Sequence, residues 1–100
     1  MTVITSYSEF EETLIDDEPN VKWPEALKAM WYDANGNWAA SHDIAQEMHT
    51  RLGSWIHAYL HRKEGDEWNA GYWYRQANQP FPKMTLAQEH REITDFILNQ

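Results

Sequence analysis

The chain has 100 residues, with sixteen acidic side chains against eight basic ones and a formal charge of −8. That length supports one continuous core and hardly two, and an apolar fraction of 42% with six Trp, five Tyr and three Phe exceeds what a disordered, highly charged chain carries. The negative balance repels phosphate backbones and excludes nucleic acid, no run approaches the roughly 18 apolar residues of a membrane span, and the absence of cysteine excludes disulfides, thiolate metal sites and thiol nucleophiles.

The N-terminal MTVITSYSEFEETLIDD has no basic segment followed by an apolar one, so export is not expected and a cytoplasmic location is. Ser8 with Glu11 has the spacing of a capping box and predicts a short helix over 9–16. The run Asp16-Asp17-Glu18-Pro19-Asn20 then reads as a solvated turn, closed by a proline that cannot continue a helix. Pro24 opens a second helix, with Ala26, Leu27, Met30, Trp31 and Ala34 at helical spacing. Asn35-Gly36-Asn37 breaks it, and Trp38, Ser41, Ile44, Ala45, Met48 and Leu52 mark a third, giving a first helix pair over 24–52.

Gly53-Ser54 punctuates the chain and is expected to cap a fourth helix carrying Trp55, Ile56, Tyr59 and Leu60 as far as Gly65-Asp66. A fifth follows through Trp68, Ala70, Tyr72, Trp73, Tyr74 and Ala77, closing a second pair over 54–78. Gln79-Pro80-Phe81-Pro82 must be extended, because proline biases its predecessor away from the helical region. Thr85 with Gln88 is another capping box and starts a last helix over 86–98 with Leu86, Ile93, Phe96, Ile97 and Leu98. Nothing alternates at period two for long enough to predict a strand, so the expected class is all-α in a single domain.

Residues 25–48 and 54–77 superpose at an offset of 29: Ala29 falls on Ala58, Gly36 on Gly65, Asn37 on Asp66 and Ser41 on Ala70. Tight helix hairpins need a residue tolerant of positive φ at the turn and small side chains where the helices cross. On these residues, with Tyr74, Ala77 and Pro82, the chain resembles tetratricopeptide and Sel1-like helical repeats over about 25–82. The resemblance implies two helix-turn-helix units of an α-α superhelix, a groove that takes a protein or ligand, and terminal helices acting as caps or a homodimer completing the short array. The string from Trp55 to Arg75 is also similar to a family of short bacterial proteins, a likeness that implies no function by itself.

Three groups of side chains carry the chemistry. His57 and His61 stand four apart, which places two imidazoles on one helix face within reach of one ion. Ala58 occupies the place where a zinc protease helix needs its glutamate base, and further ligand candidates are His42, Asp43, His49, Glu64 and Asp66. A purely structural pair would instead hydrogen-bond to a neighbour such as Asn69 or a tyrosine. Arg62, Lys63 and Arg75 concentrate positive charge that could receive a carboxylate or phosphate. Tyr72, Trp73 and Tyr74 span about 200° of a helix and cannot all face inward; Trp73 and Tyr74 are expected in the core and Tyr72 on the rim.

The sequence thus predicts a non-enzymatic helical-repeat module that holds a peptide, a protein or a small acidic ligand against His57, His61, Arg62, Asn69, Tyr72 and Arg75. No catalytic residue, cofactor, nucleic acid or membrane partner is expected. Two alternatives stand beside it: a metal-binding protein or metal-dependent hydrolase on the His57/His61 pair, and a structural homo-oligomer subunit.

Overall fold

In the computed structural model, which describes residues 4–100, the chain is helical with no strand among those residues. Met1, Thr2 and Val3 of the N-terminal reading lie outside the described residues. The helices are α1 (Tyr7–Glu12, continued by a 3-10 turn at Thr13–Ile15), α2 (Glu25–Ala34), α3 (Trp38–Glu47), α4 (Arg51–Lys63), α5 (Glu67–Ala77) and α6 (Leu86–Leu98). None of them is long and apolar enough to cross a membrane.

Ser6, rather than Ser8, starts α1: its hydroxyl accepts from the Glu9 amide, so the helix begins and ends earlier than the 9–16 predicted. α6 agrees with prediction in detail, since both hydrogen bonds of the Thr85/Gln88 capping box are formed. The largest boundary shift is between α3 and α4. Thr50 caps α4 through the Gly53 amide, which places Arg51, Leu52 and Gly53 inside α4 and ends α3 at Glu47. Gly53 is there for close approach, because a Cβ on it would stand 2.5 Å from the Met48 Cβ and 2.6 Å from the Met48 carbonyl oxygen. Alanine's helix advantage of about 1 kcal/mol is outweighed by overpacking of about 1–3 kcal/mol. Gly53→Ala is therefore expected to lower the thermal midpoint, and a midpoint equal to or above wild type would contradict this close contact.

The two hairpin turns match at the offset found in the sequence. Gly36 and Gly65 have φ of +80° and +87°, a conformation that glycine takes without a Cβ clash. Asn37 N–H donates to the Tyr32 carbonyl and Asp66 N–H to the His61 carbonyl, and the Asn37 and Asp66 side chains accept from Ala40 and Asn69 amides as helix caps. Ala29, Ala58, Ser41 and Ala70 are all fully buried where the helices cross.

α4 packs on α5, α2 on α3 and α3 on α4, while α6 lies across α1, α2 and α4. The terminal helices do not cap opposite ends. They meet each other, with the Tyr7 hydroxyl 2.9 Å from His90 Nδ1. The core holds Phe10, Met30, Trp31, Ile56, Leu60, Ile93 and Ile97. Of the apolar residues at helical spacing, Ala34 and Phe96 face out: Ala34 is exposed and Phe96 half exposed.

Two buried carboxylates tie this bundle together. Glu89, 1% exposed on α6, accepts from Trp55 Nε1 at 3.2 Å, Arg62 Nη1 at 2.8 Å and the Tyr74 hydroxyl at 2.7 Å, and Arg62 Nη2 also donates to the Met84 carbonyl. Asp33, 2% exposed on α2, accepts from the Tyr59 hydroxyl at 2.7 Å and Lys63 Nζ at 2.9 Å. His90 Nε2 donates to the Met30 carbonyl at 3.0 Å, which leaves Nδ1 to accept from Tyr7. Burial raises the Tyr59 and Tyr74 pKa values well above the ordinary tyrosine range, so both remain hydroxyl donors to these carboxylates.

Candidate metal centre

His57 and His61 lie one turn apart on α4, as their spacing requires, and α3 brings a third imidazole beside them. His42 Nε2 stands 3.0 Å from His57 Nε2, and one ring nitrogen from each of His42, His57 and His61 lies within 4.8 Å of the other two. The His42–His57 separation is the length of a hydrogen bond in which one Nε2 donates to the other. It is a little shorter than the about 3.3 Å between two nitrogens bound at about 2.0–2.1 Å to one tetrahedral ion, so an ion replacing the shared proton needs only a small separation of the rings. The register follows from the hairpin between them: α3 and α4 are antiparallel neighbours joined through Met48, His49 and Thr50.

Two tryptophans wall the imidazoles. Trp73 stacks on His57 with centroids 4.1 Å apart, and Trp38 stacks on His42 at 4.7 Å. The second face of His57 meets His61 at 4.8 Å. Burial, reinforced by His42 and His61, pushes the His57 pKa down to about 4. His42 is lowered as well, first by burial and then by His61, against opposing pulls from Asp43 and Glu64. Both rings are therefore neutral near pH 7, the form in which imidazole ligates metals.

His61 Nδ1 is 2.7 Å from Glu64 Oε1. A carboxylate can only accept, so the proton of this bond is on Nδ1, which leaves Nε2 as the nitrogen that could meet an ion. Metal-ligating histidines are oriented in this way, by a carboxylate on the nitrogen that does not face the ion. Asp66 approaches the same nitrogen at 3.9 Å, and its own oxygens are taken by Asn69 as the cap of α5.

The other predicted site residues separate. Arg62 is turned inward to Glu89, and Asn69 bonds Asp66 instead of a histidine. Lys63 is spent on Asp33. Tyr72 is 42% exposed, packs edge-on against Trp73 and occupies the rim as expected, while Arg75 is exposed and pairs with no carboxylate among the described residues. Tyr74 is buried as expected, but Trp73 is only half-buried and forms a wall of the centre. Asp43 bonds Gln46, and His49 lines a cavity that also borders His57. No family model, curated protein or solved structure matches this chain.

His42 was one ligand candidate among several in the sequence. The signal that could have singled it out is Trp38 four residues earlier, which puts an aromatic and an imidazole on one face of the helix opposite α4. Glu89 and His90 were missed altogether, although they fall on the apolar stripe set by Leu86, Ile93 and Ile97, where a charged residue demands a partner.

Proposed function

We propose that this chain is a metal-binding protein, a helical scaffold that holds one late first-row divalent ion, such as zinc, on His42, His57 and His61. The observation that carries this reading is the convergence of three imidazole nitrogens from two helices within 4.8 Å, with His61 already oriented by Glu64. Nitrogen donors of this kind favour zinc, nickel, cobalt or copper over magnesium and calcium, which take oxygen ligands. The ion would pin α3 to α4 and stabilise the folded chain, since a ligand that binds only the native state adds free energy in proportion to its saturation.

The test is metal analysis and zinc calorimetry on protein purified without a histidine tag. One ion per chain is expected, and zinc at about 100 times its Kd adds about 2.7 kcal/mol, or about 10 °C or more in thermal midpoint at about 4–8 °C per kcal/mol. His42→Ala and His61→Ala, neither of which is fully buried, should each weaken zinc by more than the roughly 10–100-fold that follows loss of an outer-sphere partner. Stoichiometric binding that survives both substitutions, or no binding by the wild type, sinks the proposal.

The repeat-like binding module is the second reading, and it now stands on α5 alone. Trp68 is 79% exposed there, with Tyr72 one turn on and Arg75 beyond it, an aromatic strip of the sort that anchors partners. Light scattering of the wild type against Trp68→Ala tests whether the partner is a second copy of the chain.

A further inference from the structure

Building on the metal reading, the number of donors becomes informative. Among the described residues no fourth histidine, aspartate or glutamate joins the three imidazoles within their 4.8 Å spacing. A zinc-type ion held by three protein ligands keeps its fourth position for water or an exogenous ligand, whereas a purely structural site is closed by four.

Space for such a ligand lies next to the triad. A cavity of about 360 Å³ borders His57 alone of the three and is lined also by His49, Trp73, Gln76, Thr50, Ser54 and Arg51. That volume is within the range of small-molecule sites. Arg51 is the one lysine or arginine in the lining. It pairs with no carboxylate among the described residues, as is also true of Lys22, Arg75 and Lys83, so its guanidinium is free to meet a ligand. A guanidinium presents its donors as a planar fork that matches a carboxylate, and hydroxyls at Thr50 and Ser54 add polar contacts on the same wall.

We infer that an ion on His42, His57 and His61 keeps one exchangeable position, and that a small carboxylate ligand occupies it from this cavity with Arg51 as its counter-charge. The chemistry needs no redox step or bond cleavage: a carboxylate oxygen replaces metal-bound water, and the second oxygen or the chain beyond it meets the guanidinium. Trp73, stacked on His57, walls the site on the α5 side.

Cobalt(II) reports on this directly, because its visible spectrum changes with its ligands. The full-length chain is loaded with cobalt and titrated with sodium acetate, with sodium chloride as the ionic-strength control. Acetate is expected to change the cobalt spectrum with saturation where chloride at equal strength does not. Arg51→Gln should weaken acetate by about tenfold or more, the equivalent of one charge-assisted contact, with cobalt affinity unchanged, and Arg51→Lys should recover part of the loss. A cobalt spectrum indifferent to acetate overturns the open position, and an Arg51→Gln titration identical to wild type overturns the role of Arg51. Failure of cobalt to bind at all removes the metal centre itself, an outcome distinct from both. Arg51 is exposed, so its substitution leaves the fold in place.

Discussion

Glu89→Ala is expected to lower stability by about 3–5 kcal/mol, the range for removing one partner of a buried ion pair. The carboxylate is 1% exposed and receives Arg62, Tyr74 and Trp55. Without it the guanidinium keeps only the Met84 carbonyl, and the tyrosine and indole donors are left facing a cavity. Each unmade hydrogen bond of a buried group adds about 1–3 kcal/mol, but the three share one acceptor and their losses do not sum. For a domain of this size the thermal midpoint should fall by about 4–8 °C per kcal/mol, which brings a chain of ordinary stability near unfolding at 37 °C. Combining Glu89→Ala with Arg62→Ala should cost less than the sum of the single changes, because the double variant leaves no uncompensated guanidinium. A drop of under about 1 kcal/mol, the size of an exposed salt bridge, would show that Glu89 is not a structural centre.

Acid is the second large perturbation. In the metal-free protein His57 is neutral down to about pH 4, while in the unfolded chain it protonates near its ordinary value of 6.5. Between those values the unfolded state binds more protons, so stability rises with pH in that window. Its contribution is therefore complete above about 6.5, declines as pH falls and is exhausted below about 4. The size for His57 is below about 3 kcal/mol, the full equivalent of this shift, because solvent screens part of it. His42 and His90, whose pKa values are also lowered chiefly by burial, act in the same direction. Urea midpoints at pH 7, 5.5 and 4 measure the effect, and His57→Gln should flatten it partially. A midpoint that stays constant from pH 7 to pH 4 would mean that the imidazoles are solvated. Bound metal adds to the same slope, since protons compete with it for the ring nitrogens.

Much of this architecture was legible. Helical periodicity, the glycines at 36 and 65 and the Thr85/Gln88 box are local signals, and the helices form where they point. The errors are local too, and each has a competing cap behind it. Thr50 outranked Gly53-Ser54 as the start of α4 because its side chain reaches the Gly53 amide, and Ser6 outranked Ser8 by reaching Glu9. The site was half visible: the His57/His61 spacing is a property of one helix, but which third residue joins it depends on how two helices lie together.

By itself the sequence determined an all-helical chain with matching turns at Gly36 and Gly65 and a histidine pair on the fourth helix, since hydrogen-bonded turns, caps and side-chain spacing are settled within a few residues of one another. Only the tertiary structure decided that His42 completes the triad, that Arg62 turns inward to Glu89 while Arg51 is left unpaired, and that α1 and α6 meet each other. These are contacts across 15 to 83 positions of chain. They are set by the packing of helix faces and by the need of each buried charge for a partner, neither of which is encoded in local spacing.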